Sequence, residues 1–123
     1  MKPLEHALTD VKKFGGVVDD YIKIHEFFDQ TKAFEPSMTH RAVLHNAFGI
    51  YLCTQVFGDY FKNSDGELVA VRTIGERHVL QDLKFIPTFH DCFGDMPLKD
   101  WMMGQHRPIR AIVFTEIGKE VNS

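Results

Sequence analysis

The 123-residue sequence contains two cysteines, Cys53 and Cys92, and a single tryptophan, with no large surplus of charge of either sign. The cysteines are far apart and form no C-x-x-C spacing, which excludes a disulfide scaffold and a zinc ribbon. Cys53, inside "AFGIYLCTQVF", reads as a small buried hydrophobe, and Cys92 has only His90 near it in sequence, so nucleophilic cysteine chemistry is disfavoured. Lys and Arg total 14 against 17 acidic residues, a formal charge of −3, so no global field draws the protein to nucleic acid or anionic lipid. No hydrophobic run approaches a membrane span, and "MKPLEHALTD" carries no apolar signal segment, which together read as a cytoplasmic protein in a reducing compartment.

Apolar residues are plentiful at 44%, eleven of them Phe, enough for the core of one domain. The periodicity predicts a first helix over "PLEHALTDVKKF", with Leu4, Ala7, Leu8 and Val11 on its apolar stripe and Gly15-Gly16 as its stop. A second helix is predicted over "YIKIHEFFDQTK", capped by Asp19 or Asp20, with Ile24, Phe27, Phe28 and Thr31 inward and Ile22, His25 and Asp29 on its other side. Ser37 or Thr39 is expected to cap one long central helix, "HRAVLHNAFGIYLCTQVF", whose stripe of Met38, Ala42, His45, Gly49, Leu52 and Val56 would be wrapped on most sides. "DYFKNSDGELVAV" has the Asp-Gly turn of a hairpin, and "RTIGERHVLQDL" reads as a helix aligning Val71, Ile74, His78 and Asp82. Thr88 should cap a short "FHDCF" segment, and Pro97 should open "PLKDWMM". The fold class is therefore mainly α: one helical domain of four or five helices over residues 1–104, with a β-hairpin near 59–70. In the tail, 105–123, "RAIVFTEI" is strand-like and would pair with the hairpin or serve as an arm exchanged in a homo-oligomer.

Seven histidines is a high count for this length, and His25, His45 and His78 fall inside predicted core helices. A buried imidazole needs partners for its ring nitrogens. "HEFFD" and "HVLQD" each place an aspartate, Asp29 and Asp82, one helical turn beyond a histidine. The commoner meaning of that spacing is a structural ion pair. Helical bundles also build metal sites from His and carboxylate ligands on facing helices. In that case His25, His78 and one of His40 or His45 supply nitrogen, and Asp29 and Asp82 ligate or accept from the ligands. Such a mixed set suits Zn, Mn, Fe or Ni. Asp82 and Arg41 are then the candidate catalytic residues, Arg41 as the contact to an anionic substrate, a role Arg77 could share.

Other motifs say less. The one His-Asp dipeptide, His90-Asp91, resembles that of the helical HD-type metal phosphohydrolases but lacks their flanking context. "KKFGG" places lysines at a helix C-terminus, where the dipole favours them, and "NSDG" lacks the spacing of a calcium loop.

The ordered set "KKFGG", "IHEFFD", "HRAVLHNAFGI", "NSDG", "VRTIGERHVLQDL" and "IPT" resembles a family of small bacterial and bacteriophage proteins of unknown function, over roughly residues 6 to 92. The resemblance implies one domain in a bacterial or phage-infected host cytoplasm and transfers no reaction. Two functions follow as expectations. One is metal-dependent hydrolysis of a small phosphorylated ligand at the His/Asp site. The other is a non-enzymatic interaction protein, such as a phage inhibitor of a host protein, contacting its partner through Trp101, Met102, Met103 and Phe114.

Overall fold

The computed structural model describes residues 1–104 in full and, beyond them, the backbone of two short strands. The fold is mainly α. Helix α1 (Pro3–Phe14) and helix α2 (Ile22–Asp29) lead to a short α3 (Arg41–Leu44) and to α4 (Ala47–Phe57). The hairpin β1 (Tyr60–Lys62) and β2 (Leu68–Ala70) follows, then α5 (Val71–Leu83) and α6 (Phe89–Phe93). Pro3 opens α1 in the position where a missing N–H costs nothing, and the Gly15 N–H closes it on the Val11 carbonyl. No helix among the described residues is long and apolar enough to cross a membrane.

The apolar core gathers Tyr21, Phe28, Cys53, Val71, Ile74 and Val79, all fully buried. Burying a side chain of Phe28's size contributes about 1.5–3 kcal/mol. Gly75 weakens α5 as a helix former but lets α2 approach it: a Cβ there would meet Phe28 Cζ at 3.0 Å. That approach stacks the Phe28 ring on His78, with centroids 4.8 Å apart.

Four expectations are corrected. Residues 40–57 are not one helix. The chain leaves α3 at His45 (ψ 58°), Asn46 is extended, and its side chain caps α4 by accepting from the Gly49 N–H at 2.8 Å. A Cβ on Gly49 would lie 1.8 Å from the Leu44 carbonyl oxygen, so the break requires glycine there. Met38 and Val56 are exposed, and α4 buries a face of Gly49, Ile50 and Cys53 instead. In α1, Leu4 and Leu8 point to solvent while His6, Ala7 and Asp10 are buried, because polar partners on other helices await the latter. Neither Asp19 nor Asp20 caps α2. Asp20 instead accepts from the Val17 and Ser64 N–H groups, and α2 proper ends at Asp29 in a 3₁₀ turn over Gln30–Ala33. "PLKDWMM" forms only a 3₁₀ turn over Asp100–Met103.

The "KKFGG" and "NSDG" segments meet. Asp65 accepts from the Gly16 N–H at 2.8 Å, and Asn63 donates to the Phe14 carbonyl and to Tyr21 Oη, each at 3.1 Å. They fasten the hairpin to the α1–α2 turn. In the tail, β3 (Arg110–Val113) pairs antiparallel with β4 (Lys119–Asn122) in a sheet separate, among the described residues, from the β1–β2 hairpin. Phe114 lies outside the described residues.

Candidate metal centre

Five of the seven histidines, His6, His25, His40, His45 and His78, are buried. Three parts of the chain carry four polar groups to one point. Asp29 stands at the end of α2, His45 at the break between α3 and α4, and His78 and Asp82 one turn apart on α5. The break is what brings His45 there, since at ψ 58° the chain turns out of the helical path.

His45 Nε2 lies 3.1 Å from His78 Nε2, 3.1 Å from Asp82 Oδ2 and 3.5 Å from Asp29 Oδ1. His78 Nε2 lies 3.3 Å from Asp82 Oδ2 and 3.5 Å from Asp29 Oδ1. Bonds of about 2.0–2.1 Å to a tetrahedral ion put ligand atoms about 3.3 Å apart. All the measured edges fall around that length, and the four donors lie within 4.8 Å of one another. Two carboxylates with two neutral imidazoles carry a charge that one divalent cation cancels.

The electrostatics agree with tight coupling. Burial pushes the Asp82 carboxyl up, but hydrogen bonds from His45, His6 and His78 outweigh it and hold the group well below the usual carboxylate range. Asp29 is likewise lowered, its burial outweighed by His78 and His45. Burial alone would lower His78, yet Asp29 and Asp82 raise it, whereas burial prevails at His25 and His45 and lowers both. Asp29 Oδ2, His45 Nδ1, His40 Nε2 and Arg41 Nε are buried with no hydrogen-bond partner among the described residues, and all four belong to residues at or beside this point.

His6, His25 and His78 also lie close enough to be considered as a ligand set. Their rings are stacked, with His6 over His78 at 3.9 Å and 28°, so their in-plane lone pairs run alongside one another instead of converging. Both His6 nitrogens are engaged, Nδ1 with Gln81 Oε1 at 2.6 Å and Nε2 with Asp82 Oδ1 at 3.2 Å. This triple is a stack bordering the centre.

Of the residues singled out in the sequence, the structure brings together Asp29, His45, His78 and Asp82. Arg41 lies at the rim, Nη2 4.0 Å from Asp82 Oδ1. His25 meets His78 by a different nitrogen, Nδ1 to Nδ1 at 2.9 Å, and is placed behind the centre. His40 is buried but turns Nδ1 to the Ser37 carbonyl at 2.8 Å, outside the donor set. His90 and Asp91 are exposed and take no part, Asp91 closing the cap of α6 with Thr88. Arg77 binds Asp10 at 2.9 Å instead of facing the centre.

Two participants escaped the sequence reading, His6 and Asp10. They form a third copy of the same spacing, "HALTD", and that repetition was the available signal. The apolar residues around it, Leu4 and Leu8, pointed to the wrong face of α1.

The family model described as a domain of unknown function, DUF6915, matches residues 1–102. The chain belongs to the DUF6915 family. No curated protein and no solved structure matches it. The DUF6915 match takes in every donor of the centre together with His6, Asp10 and Arg77.

Proposed function

We propose that the domain binds one divalent transition metal ion through Asp29, His45, His78 and Asp82 and hydrolyses a small phosphorylated substrate there. The four-donor geometry carries this reading. A bound ion would polarise a phosphoryl oxygen and lower the pKa of a coordinated water. Four protein donors complete a tetrahedron, so water and substrate need a five- or six-coordinate ion. That favours Mn, Fe or Ni over zinc in turnover. Arg41 supports an anionic substrate, because its Nε has no partner among the described residues and its side chain is a quarter exposed beside Asp82. Asp29, whose side chain is only 10% exposed and whose buried Oδ2 has no partner among those residues, would accept a proton from the attacking water.

The test is hydrolysis of p-nitrophenyl phosphate and bis-p-nitrophenyl phosphate by protein loaded in turn with Mn, Fe, Ni and Zn. Activity with at least one ion, lost in Asp82→Asn and weakened chiefly through KM in Arg41→Ala, is the expected result. Stoichiometric metal without turnover of any phosphoester would leave a binding site and remove the hydrolase.

One observation favours a second reading, docking to another protein: Met96, Leu98, Trp101 and Met103 are each more than half exposed within a short stretch. Trp101→Glu with Met103→Glu would then abolish co-purification of a partner and leave metal content unchanged. Co-purification that survives both changes would exclude this surface.

A further inference from the structure

Behind the donor set lies a buried chain of polar groups that hydrolysis itself does not use. The Asp10 carboxylate is fully buried. Its Oδ1 accepts from Arg77 Nε at 2.9 Å, and its Oδ2 accepts from His25 Nε2 in a short contact. Arg77 is itself held, donating from Nη2 to Thr9 Oγ1 at 3.2 Å and lying over the Phe14 ring. The carboxylate paired with Arg77 is an acceptor, so a neutral His25 carries its proton on Nε2 and turns the Nδ1 lone pair to its next neighbour. That neighbour is His78 Nδ1 at 2.9 Å, which must donate. A neutral His78 holding its proton on Nδ1 has its other lone pair on Nε2, the atom facing Asp29, His45 and Asp82.

We propose that Asp10 and His25 are positioning residues that fix His78 in the Nδ1–H form and aim its Nε2 lone pair at the metal, an inference that rests on the metal reading above. The arrangement extends the usual carboxylate–histidine–metal support by one imidazole. It explains why a carboxylate, Asp10, lies in the core away from the donor set: Arg77 anchors it and His25 relays its preference. The same chain orients the ring, since rotation of His78 would break the bond to His25 and the stack on Phe28 together.

The experiment measures zinc affinity by competition with a chromophoric chelator for the full chain and for His25→Phe, His25→Gln and Asp10→Asn. In parallel, ring-nitrogen NMR of the zinc-loaded wild type reads which His78 nitrogen carries the proton. His25→Phe keeps a ring but offers no acceptor and should weaken zinc binding about 10–100-fold, the usual effect of losing an outer partner. His25→Gln retains an acceptor and should recover part of the loss, and Asp10→Asn should fall between. In the wild type, His78 should coordinate through Nε2 with a proton on Nδ1. Coordination through Nδ1, or wild-type affinity in a folded His25→Phe, overturns the positioning role while the metal site stands. A wild type that takes up no zinc overturns both. Should His25→Phe fail to fold, the NMR measurement on the wild type decides alone.

Discussion

Asp82→Asn is the sharpest perturbation of the centre, because it keeps the side chain's shape while removing its charge and turning one acceptor oxygen into a donor. The carboxylate is 1% exposed and meets His45 at 3.1 Å, His6 at 3.2 Å and His78 at 3.3 Å, with Arg41 at 4.0 Å. Removing one charged member of such a buried network costs about 3–5 kcal/mol. For a chain of this length each kcal/mol moves the melting temperature by roughly 3–6 °C, so metal-free Asp82→Asn should melt about 10–30 °C below metal-free wild type. Metal adds a second difference. Zinc at 100 times its dissociation constant should stabilise the wild type by about 2.7 kcal/mol, and the variant, short of one donor, by almost nothing. The assay is thermal unfolding with zinc and with chelator, beside elemental analysis of protein purified without a metal-affinity tag. A wild type that carries no stoichiometric metal and melts at one temperature under both conditions would refute the metal centre. A folded Asp82→Asn with undiminished zinc stabilisation would refute Asp82 as a ligand.

Three further outcomes follow from the same geometry. Asn46→Ala removes the cap of α4 and leaves the Gly49 N–H and the Ala42 carbonyl without their partner. It should therefore cost about 2–3 kcal/mol in denaturant unfolding, and a change below about 0.5 kcal/mol would contradict the break at His45. The raised pKa of His78 gives metal-free protein stability that is present below about pH 6.5 and lost as pH rises through the folded value. The lowered values of His25 and His45 act oppositely, their contribution present above about pH 6.5 and lost as pH falls through the folded values. Zinc must displace the Nε2 proton of protonated His78, so affinity should climb with pH through neutrality, and equal affinities at about pH 6 and 8 would sink this assignment. His90→Ala should leave zinc affinity and melting temperature unchanged, since the ring is exposed. A loss of metal would reinstate the His90-Asp91 dipeptide as a ligand pair.

Much of the fold was legible because short-range rules govern it. Pro3 and the Gly15 stop bound α1, the Asp-Gly turn marks the hairpin, and Thr88 caps α6 as its position suggests. The long central helix failed because Asn46 fits a helix interior by periodicity and a cap by chemistry, and only the carbonyl of Leu44 pressed against Gly49 selects the cap. Helix α1 misled for a related reason. Its leucines form a regular stripe, yet hydrophobic burial competes there with the cost of leaving His6 and Asp10 without partners, and those partners sit on α2 and α5.

The sequence by itself determined that histidines and aspartates recur one helical turn apart, three times, on helices with apolar neighbours. It therefore determined which groups would share a helix face, because i and i+4 lie together whatever the helix packs against. Tertiary structure alone decided their pairing. Within the three copies, only His78 and Asp82 meet on their own helix; His25 turns to Asp10 and His6 to Asp82. Ring nitrogens are directional, and which of the two faces a metal depends on rings contributed by other helices. His78 presents Nδ1 to one neighbour and Nε2 to three others.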